Sequence, residues 1–428
     1  MHPRYFDESD LRGELERVYD LCHGCRLCFN LCPAFPSLFD MIDAHDGEVA
    51  AMTRAEQDRV VDECYQCKLC YLKCPYVPPH EWMLDFPRLM MRANAVKVRA
   101  GAGSRRDKVA RHALAQTDLV GKVATSTGAL ANRAMATPGT FVRRAMEKSL
   151  GIAAERVLPP YARQRFSTWF RKRNPRVLDK HQGEVALFPT CFVEYMEPAI
   201  GKDLVAVYER NGVACSLPAG AKCCGAPWLH GGEVDAFVKQ AVHNVKVLAD
   251  EVRSGRDIVV AQPTCSYVLK KDYPIYVDSD DARLVAAHTF DAAEFLVRLH
   301  KGADTELDTT FEGDLPGTVT YHVPCHLQAQ NIGLKSRDLM KLTGTKITVV
   351  NKCSGIDGTW GYRAENYDLS RLVARPLKAA IDAAGGDVIC GDCHLANGAI
   401  VEETGRTPLH PMQVMARAYG IAAEDDRR

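Results

Sequence analysis

Four cysteines crowd "CHGCRLCFNLCP" at Cys22, Cys25, Cys28 and Cys32, and the same spacing returns in "CYQCKLCYLKCP" at Cys64, Cys67, Cys70 and Cys74. Each member of the second quartet follows its counterpart by 42 residues, an internal repeat with no slippage. No other feature constrains the fold as strongly. Three thiols at even spacing wrap a short loop around one centre, and the fourth is carried away as Pro33 or Pro75 ends the turn. The chain has 17 cysteines, and its charged start, "MHPRYFDESDLRGELERVYD", does not read as a secretory leader. Clustered thiols in such a chain read as metal ligands in a reducing, cytoplasmic compartment.

Structural zinc takes two separated pairs of ligands, whereas an even triplet plus Cys-Pro, given twice, suits iron–sulfur cubanes. In two-cluster ferredoxins the fourth cysteine serves the other cluster. The expected groups are therefore Cys22, Cys25, Cys28 and Cys74 for one [4Fe–4S] cluster, and Cys64, Cys67, Cys70 and Cys32 for the other. A helix should enter each loop, the first capped by Ser9 with Leu11, Leu15 and Val18 on one face, the second opened by a Thr53–Glu56 capping box.

A second, larger repeat occupies the C-terminal half. "FPTCFVEY" (Cys191), "AKCCGAPW" (Cys223, Cys224) and "QPTCSYVLK" (Cys265) are answered by "HVPCHLQA" (Cys325), "NKCSGIDG" (Cys353, Ser354) and "ICGDCHLAN" (Cys390, Cys393). Pairing Cys191 with Cys325, Cys223 with Cys353 and Cys265 with Cys393 gives offsets of 134, 130 and 128. Short apolar strands alternate with longer helices, which predicts two α/β halves with partly parallel sheets, pseudo-symmetric and facing one crevice. The metal-ligating candidates are Cys191, Cys223, Cys224 and Cys265 in one half, and Cys325, Cys353, Cys390 and Cys393 in the other. Cys215 reads as a core residue, and His326 and His394 as packed histidines beside ligands.

This pattern resembles the twin cysteine-rich (CCG) domains of the B subunit of heterodisulfide reductase. "ALFPTCFVEYMEPAIGKDL", "KCCGAPWLHGG", "PTCSYVLKKDYP", "YHVPCHL" and "SGIDGTWGYRAENY" further resemble the family of the C subunit of anaerobic glycerol-3-phosphate dehydrogenase, over nearly the whole chain. The resemblance implies an iron–sulfur subunit of anaerobic respiration, with a two-cluster ferredoxin-like domain fused to a twin CCG domain. The full motif carries five cysteines, and each half here has four, with Gln262 and Ser354 at the departures. Five-thiolate sites in the resembling reductase hold non-cubane clusters that cleave a disulfide. Four thiolates suit a cubane or a zinc ion, so the expected cofactors are two [4Fe–4S] clusters plus one or two further clusters or zinc.

Charge divides the chain. Residues 1–87 hold 8 Lys/Arg against 16 Asp/Glu, residues 88–176 hold 20 against 4, and the remainder holds 26 against 34. The expected domains are 1–97, ferredoxin-like; 98–178, a basic helical linker or docking segment; 179–308, the first CCG half; and 309–428, the second. Phe166, Trp169 and Phe170 beside Arg171, Lys172 and Arg173 suggest a peripheral anchor on the inner face of the cytoplasmic membrane. No glycine-rich dinucleotide turn, P-loop or haem-attachment motif is present, and nucleic acid is not an expected partner. The expected function is an electron relay between a flavoprotein dehydrogenase or reductase and quinone or another acceptor. A disulfide reductase and a membrane-docking scaffold are the alternatives.

Overall fold

The computed structural model describes residues 2–176, 178 and 180–422. Residue 179, the expected start of the first half, and residues 423–428, the end of the second, lie outside the described residues. The architecture mixes helical regions with two small parallel sheets.

The N-terminal region is helical. Helix α1 (Glu8–Cys25) delivers the first loop, followed by α2 (Ala34–Asp43), α3 (Arg54–Glu63), α4 (Leu69–Lys73) and α5 (Phe86–Arg99). Asp7, not Ser9, caps α1, because its carboxylate accepts the Asp10 amide; the Thr53–Glu56 capping box opens α3 as expected. Leu11, Leu15 and Val18 face Phe35, Leu38 and Phe39 in one apolar core beneath the cysteine loops.

The basic segment contributes α6 (Arg105–Ala115), α7 (Thr117–Ser126), α8 (Gly128–Met135), α9 (Phe141–Leu150) and α10 (Phe166–Lys172). It is not a linker. Arg156 is buried, paired with Glu402 of the second half at 3.0 Å and donating to Ser370 Oγ at 2.7 Å. Asp118 on α7 accepts from the Cys223 amide of the first half at 3.0 Å. The aromatics expected to anchor α10 pack in part against its own chain. Phe166 is buried, Trp169 and Phe170 pack against the core shared by the two sheets, and Arg173 meets Glu209 at 2.7 Å. Three aromatics in seven residues supply enough apolar surface to dock a short helix against its own chain.

The twin halves follow one plan. Strands β1 (Gly183–Leu187), β2 (Val213–Ser216), β3 (Asp257–Val260) and β4 (Thr289–Asp291) form a parallel sheet in the order β2-β1-β3-β4. Strands β5 (Thr318–His322), β6 (Lys346–Val350) and β7 (Val388–Gly391) form a second in the order β6-β5-β7. A single parallel bridge from Cys390 to Leu409 stands where β4 stands in the first sheet. Helix α11 (Cys191–Tyr195) after β1 matches the helix Cys325–Ala329 after β5, so Cys191 and Cys325 occupy equivalent first turns.

The pairing of Cys265 with Cys393 is overturned by strand register. Leu187 pairs with Val259 and Tyr321 with Cys390, and each of Leu187 and Tyr321 lies four residues before its half's first cysteine. Cys390 therefore corresponds to Val259, and Cys393 to Gln262. Gln262 and Cys393 are both the residues that cap the following helix. The counterpart of Cys265 is Ala396. The sequence could not show the shift, because a Cys-x-x-Cys pair beginning inside a strand and one beginning at its end look alike in one dimension.

Candidate metal centres

The N-terminal loops bring eight thiols into two adjoining groups. Burial pushes the Cys22 thiol up, as do the neighbouring sulfurs of Cys28, Cys74 and Cys25. Cys32 is raised by burial and then by Cys64 and Cys67, while Cys70 is raised by burial and then by Cys67, Cys64, Cys32 and Cys28. The fourth cysteine of each loop thus lies among the first three of the other. The loops turn through left-handed backbone at Arg26 (φ 49°), Gln66 (φ 59°) and Lys68 (φ 65°), a conformation uncommon for non-glycine residues and costly unless the surroundings hold it.

Iron–sulfur clusters fit this donor set. All eight cysteines are free, and burial lifts the thiols of Cys28 and Cys64 to about 11. A metal must therefore displace a firmly held proton. Backbone N–H groups of Gln66, Leu69 and Ala34 face the sulfurs of Cys64, Cys67 and Cys32, stabilising thiolate where cations bind. Lys68 is buried beneath the second loop and donates to the Gln66 carbonyl at 3.0 Å.

In the first half Cys191, Cys223, Cys224 and Cys265 come together as expected. The Cys223 sulfur accepts from the thiols of Cys191 and Cys224 and is held well below the usual thiol range. Gly225 follows the cysteine pair at φ 89°, and a Cβ there would lie 2.8 Å from Phe237. Its counterpart Gly355 has φ 67°, with the Ser370 carbonyl oxygen 2.2 Å from the Cβ position, so both turns need glycine.

In the second half Cys325, Cys353 and Cys393 share one small cavity, but Cys390 is not with them. Cys390 is fully buried on β7 in the core between the sheets, its sulfur 3.7 Å from Met340 Sδ. Residues three apart in extended chain face opposite sides, so only Cys393 can reach the loop side of the sheet. Cys390 is a core residue. Cys215 on β2 packs against the same core, as expected.

Several contacts in this cavity had no signature in the sequence. Tyr65 Oη lies 3.4 Å from Cys353 Sγ and 3.5 Å from the Leu31 carbonyl, linking the ferredoxin-like loops to the second half. Cys67 lines the same cavity. Gln262 Nε2 donates to Cys393 Sγ at 3.2 Å, so the two helix-capping positions meet where the halves face each other. His326 is buried beside Thr264 Oγ1 at 3.3 Å, and His394 stacks on Phe192 with ring centres 3.7 Å apart. Burial holds both imidazoles neutral, with pKa values of about 3.

On the far side of the first-half thiols lies a cavity of about 310 Å³. Cys191, Cys223 and Cys265 line one wall, and Val120, Met135 and Leu150 of the basic segment line another. The helices around it expose apolar side chains, with Leu119 59%, Val123 58%, Leu130 76% and Phe141 87% exposed. Among the described residues no helix is long and apolar enough to cross a membrane.

Two thiol groups on helical loops and two cysteine-rich α/β halves define an iron–sulfur electron-transfer protein. A 4Fe-4S dicluster domain model matches residues 14–75, and a cysteine-rich domain model matches residues 185–270 and 319–396. The chain is 32% identical over 326 residues to the C subunit of anaerobic glycerol-3-phosphate dehydrogenase from Escherichia coli K12, covering 75% of this chain and 80% of that one. It is 26% identical over 235 residues to lactate utilization protein A of Shouchella clausii, covering 52% of this chain and 93% of the relative. The chain belongs to the family of the anaerobic glycerol-3-phosphate dehydrogenase C subunit. It carries two [4Fe–4S] clusters and serves in electron transfer.

Proposed function

We propose that the chain takes electrons at its ferredoxin-like end from a flavoprotein dehydrogenase and delivers them to an apolar acceptor, a quinone, in the cavity beside Cys191. The relatives named as part of a dehydrogenase support the donor. One observation carries the route: the thiol groups stand in sequence through the molecule. Cys25 is exposed, Cys28 adjoins Cys70, Cys67 adjoins the Cys325 group, and Gln262 leads from Cys393 to the first half. In this reading Cys22, Cys25, Cys28 and Cys74 hold one cluster, and Cys64, Cys67, Cys70 and Cys32 the other. Cys191, Cys223, Cys224 and Cys265 hold a third group. Clusters supply one-electron carriers. The protein's part is to exclude water with Tyr65, Phe35 and the apolar cores, and to place counter-charge at Lys68.

The domain limits at residues 97 and 308 belong to the same reading. The first lies within α5, which ends at Arg99, and the second follows the helix Ala292–Lys301. The exposed apolar residues of α7–α9, interleaved with exposed Lys122, Arg133 and Arg144, suit contact with an anionic membrane surface from which a quinone could enter. Gln262, Ser354 and Ala396 at thiol positions speak against cleavage of a disulfide.

The test mixes dithionite-reduced protein with a short-chain quinone and follows reoxidation by visible absorption. Reoxidation should be fast in the wild type and at least about tenfold slower in Met135→Trp, which fills the cavity. Equal rates would reject the cavity as the acceptor site.

A further inference from the structure

We propose that the Asp357 carboxylate is the fourth protein ligand of a [4Fe–4S] cluster held by Cys325, Cys353 and Cys393. This rests on the proposed electron route past the Cys325 group and takes that group to hold a cluster of its own.

Three thiols are left in this half once Cys390 is placed in the core and Ser354 and Ala396 stand at the other thiol positions. A cubane has four corners to ligate, and three sulfurs leave one open. Asp357 follows Cys353 by four residues, in the turn that Gly355 makes possible, and its carboxylate enters the cavity lined by Cys325, Cys353 and Cys393. A carboxylate oxygen of Asp357, the Cys325 sulfur and a ring nitrogen of His326 lie within 4.8 Å of one another. The Asp357 side chain also stands close enough to the Cys353 and Cys393 thiols to raise them, after burial and the hydrogen bonds they accept.

The buried Lys68 acts on this carboxylate through its charge, without an ion-pair contact. The Asp357 side chain is 7% exposed, and among the described residues no hydrogen-bond donor reaches it; the nearest basic nitrogen, His326 Nδ1, is 3.7 Å away. A carboxylate so nearly enclosed, with no donor in reach, suits a bound cation. His326 is the rival ligand, since its buried Nε2 has no hydrogen-bond partner although its Nδ1 lies 3.3 Å from Thr264 Oγ1; Asp357 is favoured because its charge also acts on the Cys353 and Cys393 thiols. Asp357 lies on the wall of a second, polar cleft of about 380 Å³ that opens to solvent between α5, α6 and the second half. An oxygen-ligated iron there would be the most weakly held corner, within reach of solutes.

The proposal predicts iron release at that corner. One-electron oxidation by ferricyanide should convert the cluster to a three-iron form, the cluster's electron passing to ferricyanide and one Fe²⁺ leaving with the freed carboxylate. Protein reconstituted anaerobically should lose one iron per chain more than the Asp357→Cys variant, and should show a three-iron EPR signal that this variant lacks. Added Fe²⁺ and dithionite should restore the wild type. Asp357→Ala should lose that Fe²⁺ before any oxidant is added, leaving a three-iron cluster one electron more reduced, which ferricyanide then converts to the EPR-active form with no further iron release. Identical iron loss and EPR spectra in wild type and Asp357→Cys would overturn the assignment of Asp357 while leaving a cluster in place. One zinc per chain, lost on replacing Cys353 with Ser, would instead overturn the cluster in this half. Retention of the N-terminal cluster signals separates either outcome from misfolding.

Discussion

Lys68 shows how a single side chain serves the metal centres. It is buried in the second cysteine loop, 3.4 Å from His230 Nε2, and it draws down the carboxyls of Asp357 and Asp272 that burial has raised. A fixed positive charge beside anionic clusters favours their reduced form, since net charge sets their potentials. Lys68→Met should shift the midpoint potential of the Cys64-loop cluster downward in EPR-monitored titration, with the other cluster less affected; an unchanged midpoint would remove this role. Asp272 is the converse case. It is 1% exposed, neither oxygen has a hydrogen-bond partner, and burial raises its pKa from 3.8 to about 6. The folded state then holds more protons than the unfolded state between about pH 4 and 6. Stability from this group therefore falls as pH rises through that window and stays reduced above it. Asp272→Asn should flatten this limb of the melting-temperature profile and stabilise the protein at pH 7 by about 1–3 kcal/mol. A profile unchanged by the substitution would contradict the sign.

At the scale of elements, the cysteine turns depend on glycine more than on any side chain around them. Gly355→Ala would place a Cβ 2.2 Å from a backbone oxygen at φ 67°, and should destabilise by about 1–3 kcal/mol or more in denaturant titration. Gly398, inside the helix His394–Thr404 with nothing within 4 Å of its Cβ position, is the matched control. There Ala should be neutral or stabilising by up to about 1 kcal/mol. The α10 helix shows the opposite lesson about reading elements from composition. Its Phe-Ser-Thr-Trp-Phe-Arg-Lys run has the makeup of an interfacial anchor, yet tertiary packing buries Phe166 and half-buries Trp169 and Phe170. The exposed apolar residues instead sit on α7–α9, where small and basic residues had made the helices look like linker.

For the whole molecule, the basic segment contacts both halves and exposes apolar and cationic side chains along α7–α9. If these residues meet membrane, the protein should sediment with anionic vesicles at low salt and release as the Debye length falls from about 10 Å at 0.1 M to about 3 Å at 1 M. Leu130→Glu with Phe141→Glu should abolish sedimentation, whereas Arg171→Gln with Lys172→Gln should leave it intact. Failure to sediment at low salt would leave the segment a cover for the cavity only.

The cysteine repeats alone were enough to predict the class of protein, the eight N-terminal thiols and the existence of twin α/β halves. Thiol spacing is a local property, set by how short loops wrap a centre. The expectation that each fourth cysteine serves the other cluster came from the two-cluster ferredoxin pattern, in which the Cys-Pro end carries that thiol away from its own loop. Cys390, Asp357 and Lys68 were not legible in this way. Whether Cys390 faces core or cavity depends on which residue ends β7, and that is decided by register against β5. Asp357 and Lys68 lie 289 residues apart and meet only because the ferredoxin-like loops dock into the crevice of the twin halves. Spacing encodes which atoms a loop can gather; packing between distant segments decides which of them face the same space.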